Sequence, residues 1–154
     1  MNRILAFFVI SLVVTTQATQ PEPKDFPDKF ASQIAPEYRA DFNSTYKRLL
    51  SAQQRQDWDS VYEMVLPENR KNVSGPDFQK IHRAQEWTLL SFKPIRLDQT
   101  VAPTAKNLNG RWDILGNITI HERGKRRSVD GLLTIYLIEG VWYADEVGII
   151  VPLH

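Results

Sequence analysis

Few side chains in this sequence have the type and spacing that chemistry demands. The three histidines stand apart, in Ile81-His82-Arg83, in Ile120-His121-Glu122 and at the terminus as His154. A metal centre needs donors that converge, and none of the three has a second ligand two to four residues away, so no metal is expected. No Gly-x-Ser-x-Gly elbow presents a nucleophilic serine, and no glycine-rich loop cradles phosphate, so no hydrolase triad and no cofactor are expected either. What remains is a titratable group near the C-terminus, Tyr143, Asp145 and Glu146, and a basic one, Arg123, Lys125, Arg126 and Arg127, crowded on one turn. The basic turn reads first as a solvated surface, with contact to anions as its sharper alternative. Three sequons, Asn43-Ser44-Thr45, Asn72-Val73-Ser74 and Asn117-Ile118-Thr119, carry no meaning in a bacterial host.

The N-terminus sets the compartment. Arg3 supplies one charge, residues 4–14 are apolar apart from Ser11, and Thr15-Thr16-Gln17-Ala18 follows with small residues at the two positions a signal peptidase reads. Eleven helical residues rise only about 16 Å, well short of the roughly 20 residues that span a bilayer, so residues 1–18 read as a removable signal rather than an anchor. Small secreted eukaryotic domains lean on disulfides, and the chain has no cysteine, so the expectation is a secreted or periplasmic bacterial protein with no membrane span after signal removal. Of 19 Lys and Arg, Arg3 leaves with the signal, so 18 basic residues face 18 acidic ones. A net charge near zero argues against a nucleic-acid binder and against a polybasic membrane binder.

The rest must position whatever site exists. Residues 19–36 carry Pro21, Pro23, Pro27 and Pro36 and read as a tether, although Phe26, Phe30 and Ile34 recur at a spacing that makes one helical turn able to dock. Residues 37–154 then form one domain. A helix opening at Pro36-Glu37 shows the stripe Tyr38, Phe42, Tyr46, Leu49 and Leu50. A second starts near Asp57 or Asp59, buries Trp58, Val61, Tyr62 and Val65, and stops at Pro67; a third follows Ser74-Gly75-Pro76 with Phe78, Ile81 and Ala84 on its face. After Trp87 the period changes from 3.6 to 2. Ile95, Leu97, Gln99 and Val101 alternate with polar residues, as do Trp112, Ile114, Ile118 and Ile120, then Val129, Leu133, Ile135 and Leu137, with a last strand over residues 141–151. The fold class expected is therefore α+β, three N-terminal helices covering the apolar face of an antiparallel sheet of four to five strands.

Leu49-Leu50-Ser51-Ala52 through Asp57-Trp58-Asp59-Ser60-Val61-Tyr62, and Gly131-Leu132-Leu133-Thr134-Ile135-Tyr136-Leu137 followed by Glu139-Gly140-Val141-Trp142-Tyr143-Ala144-Asp145-Glu146, resemble a helix pair and a closing hairpin of the nuclear transport factor two-like superfamily. The resemblance covers nearly the whole mature chain and implies a cone-shaped fold. It implies no single activity, because that superfamily holds lyases and isomerases beside proteins that only bind or dimerise. Its enzymes work inside the cone, where a buried carboxylate removes a proton and a tyrosine holds the oxyanion.

Register decides between the two. With Trp112, Ile114, Ile118, Ile120, Leu133, Ile135 and Leu137 inward, Asp113, Asn117, His121 and Asp130 point to water and the central strands offer a pocket neither acid nor base. The last strand is the exception, leaving Asp145 with Tyr143, or Glu146, as the catalytic candidates. The expected pocket lining is Trp58, Tyr62, Trp112, Ile114, Leu133, Ile135 and Tyr143. The reading favoured is a non-catalytic exported domain that takes a small hydrophobic ligand or pairs as a homodimer through an outer sheet face carrying Leu115, Leu132, Tyr136 and Ile138. The alternative is a cofactor-free lyase or isomerase acting on a small hydrophobic carbonyl compound.

Overall fold

A computed structural model describes residues 22–102, 109–145 and 151–152, the last two by backbone only. Five helices precede the sheet: α1 (Asp28–Ala31), α2 (Pro36–Gln54), α3 (Trp58–Met64), α4 (Pro67–Arg70) and α5 (Gly75–Arg83). The strands are β1 (Trp87–Val101), β2 (Gly110–Glu122), β3 (Lys125–Ile138), β4 (Val141–Ala144) and β5 (Val151–Pro152). The α+β class and the antiparallel sheet hold. The helix count does not: the docking turn around Phe30 is itself helical, and Pro67 occupies the first turn of a further short helix, where its missing N–H costs nothing.

The sheet is open rather than a closed cone. Its order is β1-β2-β3-β4, and β5 pairs with β3 beyond the end of β4. Both hairpin turns have two residues at positive φ, Arg123-Gly124 and Glu139-Gly140, the geometry that matches strand twist. Three irregularities bend β1, at Leu90, Ile95 and Thr100. Ile95 is the extra residue of one bulge, which turns it to solvent, and Val101 is likewise exposed; the even alternation expected of that strand is broken. The carbonyl of Leu90, the extra residue of another bulge, accepts a 2.7 Å bond from the buried Gln54 amide of α2. Along β2 the alternation is complete from Gly110 to Ile120.

The inner face carries the core. Trp112, Ile114, Ile118, Leu133 and Ile135 have no accessible surface, and Ile120 and Leu137 have almost none. Phe42 of α2 packs against Trp112 and Trp142 with ring centroids 6.1 and 5.3 Å apart. Of the two expected starts Asp57 is the cap of α3, accepting from the Ser60 amide and hydroxyl at 3.2 and 2.7 Å. On α5 the buried face is Phe78 and His82, four residues apart, whereas Ile81 is 57% exposed. The described part of the proline-rich segment is docked: Phe26, Phe30 and Ile34 are buried, and Phe26 stacks edge-on against Phe42 and Tyr46.

Candidate interaction surface

The face of the sheet opposite the core holds the accessible chemistry. Strand pairing sets Arg111 beside Tyr136, Asp113 beside Thr134, Leu115 beside Leu132 and Tyr136 beside Tyr143, all on this outer side. Asp113 Oδ1 accepts from the Thr134 hydroxyl at 2.7 Å and from Arg111 at 3.1 and 3.2 Å. The Arg111 guanidinium lies 5.6 Å from the Tyr136 ring centre, within the range of a cation–π contact. Asp145 leaves β4 on the same side: its amide donates to the Thr134 carbonyl and its carboxylate accepts from Asn69 of α4, both at 3.3 Å. Partial burial raises the Tyr136 phenol above its ordinary pKa, helped by the charge of Asp145 and opposed by Arg111. Arg111 is also held above its usual value, since the bond and charge of Asp113 outweigh the cost of partial desolvation. Half-buried Leu115, Leu132, Ile138 and Tyr143 and the exposed Val141 extend this cluster into an apolar band.

The residues expected to line a pocket divide by face. Trp112, Ile114, Leu133 and Ile135 point into the core and have zero accessible area. Atoms that a water-sized sphere cannot touch border no water-sized space, so these four are packed side chain against side chain. Trp58 is buried and stacked on His82, with centroids 5.0 Å apart. Tyr62 is half-buried and donates to the Val73 carbonyl at 2.9 Å, closing the α4–α5 connection. Tyr143 faces the other way, opposite Tyr136 on the outer side.

Of the catalytic candidates, Asp145 and Tyr143 share that outer side and Glu146 lies outside the described residues. Asp113 is tied into the outer cluster, and His121 and Asp130 are exposed on the same face. From Gly110 to Ile120 on β2 and from Val129 to Leu137 on β3 the inward positions carry no acid or base, and the charged residues on that side, Glu122, Lys125 and Arg127, lie at the hairpin tip. Among the described residues no group of three His, Asp or Glu could hold a metal ion, and no helix is long and apolar enough to cross a membrane. Sequence reasoning passed over Arg111, Thr134 and Asn69. They become significant only once pairing sets residue 113 beside residue 134, some twenty positions away.

No family model matches the chain, and no curated protein matches it. Among solved structures it is similar to the solution structure of a SEC-C motif containing protein from Rhodopseudomonas palustris. The two share 13% identity at a TM-score of 0.49, over 73% of this chain and 78% of that one. The resemblance to the nuclear transport factor two-like superfamily is overturned, since no model of that superfamily matches the chain and the sheet is open where a cone was expected. The residues that prompted it encode an amphipathic helix pair and a two-residue hairpin, units that any two-layer α+β fold reuses.

Proposed function

We propose that this chain is an exported, non-catalytic interaction domain that binds through the outer face of β2, β3 and β4, and that its partner is a second copy of itself. One observation supports this above others: the inward Trp112, Ile114, Ile118, Leu133 and Ile135 have no accessible surface, while the outward Leu115, Leu132, Tyr136, Ile138 and Tyr143 keep theirs. An apolar ligand in the core would have to displace packed side chains, at a cost of the order of 1–3 kcal/mol for each overpacked site. An outer face needs no such opening. Its band of Leu and Tyr around an Arg–Asp–Thr cluster has the composition of an interface, with aromatic and Arg residues at the centre. Facing sheets related by a two-fold would bury the same patch on both copies. The layout of residues 1–18 supports export as the setting.

Sedimentation equilibrium of the mature chain from Thr19, at micromolar to high micromolar concentration, tests the reading. The expected result is a concentration-dependent dimer that Leu132→Lys returns to monomer without changing the circular dichroism spectrum. A unaltered chain that stays monomeric across the whole range would sink it.

A further inference from the structure

We infer that the tip of the β2–β3 hairpin docks this protein on an anionic lipid surface, a contact separate from the outer-face pairing proposed above. The tip gathers charge that the whole chain averages away. Arg123, Lys125, Arg126 and Arg127 are all exposed there. The ion pair between Arg123 and Glu86 ties the tip to the segment that follows α5. Glu122 pairs with Arg127. Four basic residues thus meet two acidic ones at one end of the molecule. The chain's other fifteen of 19 basic residues face sixteen of its 18 acidic ones, so the remainder is slightly negative.

The arrangement of these cations selects the kind of partner. Arg126 stands opposite His121 on the outer side of the hairpin, while Lys125 and Arg127 stand opposite Glu122 and Ile120 on the inner side. A small anion is held by donors that converge, and these diverge around a two-stranded finger. Divergent charges suit a partner that is extended and laterally uniform, such as a layer of phosphate headgroups. Half-buried Trp87 pairs with Glu122 at the same level, and an indole with one apolar side and one polar edge is the side chain that settles at a headgroup boundary. Lys125 and Arg126 enter no ion pair among the described residues, so their charge is available to a surface.

Vesicle co-sedimentation of the mature chain tests this, comparing phosphatidylcholine alone with phosphatidylcholine containing phosphatidylglycerol. Binding is expected only to the anionic vesicles, and should vanish at about 1 M salt, where the screening length is about 3 Å. A basic residue near such a surface contributes roughly five-fold to partitioning, so Lys125→Gln with Arg126→Gln should weaken binding about 25-fold. Lys71→Gln, just past the end of α4, should leave binding within about that single five-fold step. Equal binding to neutral vesicles, or an unchanged affinity in the double variant, overturns the inference. So does equal or tighter binding to dissolved polyglutamate, which would assign the tip to a soluble polyanion. Sedimentation of the same double variant without vesicles keeps the outcome distinct from dimerisation, which it should not alter.

Discussion

The ring of Phe92 on β1 occupies the space that a side chain on Gly116 of β2 would fill, and the carbonyl of Lys93 lies 2.7 Å from where that Cβ would stand. Gly116 sits between Ile114 and Ile118 on the inner face and pairs with Pro94 across the strands. The missing side chain lets a half-buried phenyl ring fold over the sheet and reach Tyr46, 6.4 Å away between ring centres. Gly116→Ala should therefore destabilise the fold by about 1–3 kcal/mol, the range for overpacking, since both a ring and a main-chain carbonyl must move. Urea denaturation followed by tryptophan fluorescence measures this. Gly116→Ala paired with Phe92→Leu should recover part of the loss, and a double variant no better than the single one would show that the ring is not the obstacle.

Asn43 holds the N-terminal segment to the body. Its side-chain oxygen accepts from the Phe26 amide at 2.8 Å, and its nitrogen donates to Asp25 at 3.0 Å. Asp25 also pairs with Lys47 at 3.1 Å, and these contacts hold its carboxyl below the usual range. Asn43→Ala leaves the half-buried Phe26 amide without this acceptor, a cost of about 1–3 kcal/mol. The loss should be local. Hydrogen exchange should quicken across residues 26–34 while the amides of β2 and β3 keep their protection. Equal acceleration in both regions would mean that the segment is part of the global folding unit.

How much of this was legible follows the strength of each local pattern. On β2 every inward position from Trp112 to Ile120 is apolar except Gly116, so period 2 stood out and both the strand and its register could be read. On β1 the apolar residues look equally regular, but bulges at Leu90, Ile95 and Thr100 shift the phase, and no residue type announces a bulge. On α5 the hydrophobic choice was Ile81, yet helical geometry and the neighbouring Trp58 select His82, since an imidazole between aromatic rings packs as a flat apolar plate. The outer cluster was invisible for another reason. Arg111 and Asp113 are two apart, but Thr134, Asn69 and Asp145 reach them only through strand pairing and the return of α4 to the sheet edge. Net charge is silent on arrangement, because a sum over the chain averages the basic hairpin of Arg123, Lys125, Arg126 and Arg127 against acids elsewhere.

His82 makes the fold sensitive to acid. Its ring lies 5.0 Å from Trp58 and 4.2 Å from Phe78, and its Nδ1 is 2.7 Å from the Gln85 side-chain nitrogen. Burial pushes the pKa of His82 below its ordinary value of 6.5, and the bond to Gln85 only partly opposes that. The folded state therefore binds the proton less readily than the unfolded chain. Above pH 6.5 both states are neutral and stability is complete; as pH falls through 6.5 toward the lower folded value, the unfolded chain takes up the proton first and stability is lost. The slope for one such group cannot exceed about 1.4 kcal/mol per pH unit. Urea midpoints measured from pH 7.5 down to 5 should fall, and the fall should shrink in His82→Gln, which keeps a polar side chain but cannot titrate. Parallel curves for the two proteins would move the acid sensitivity away from this ring and onto the carboxylates.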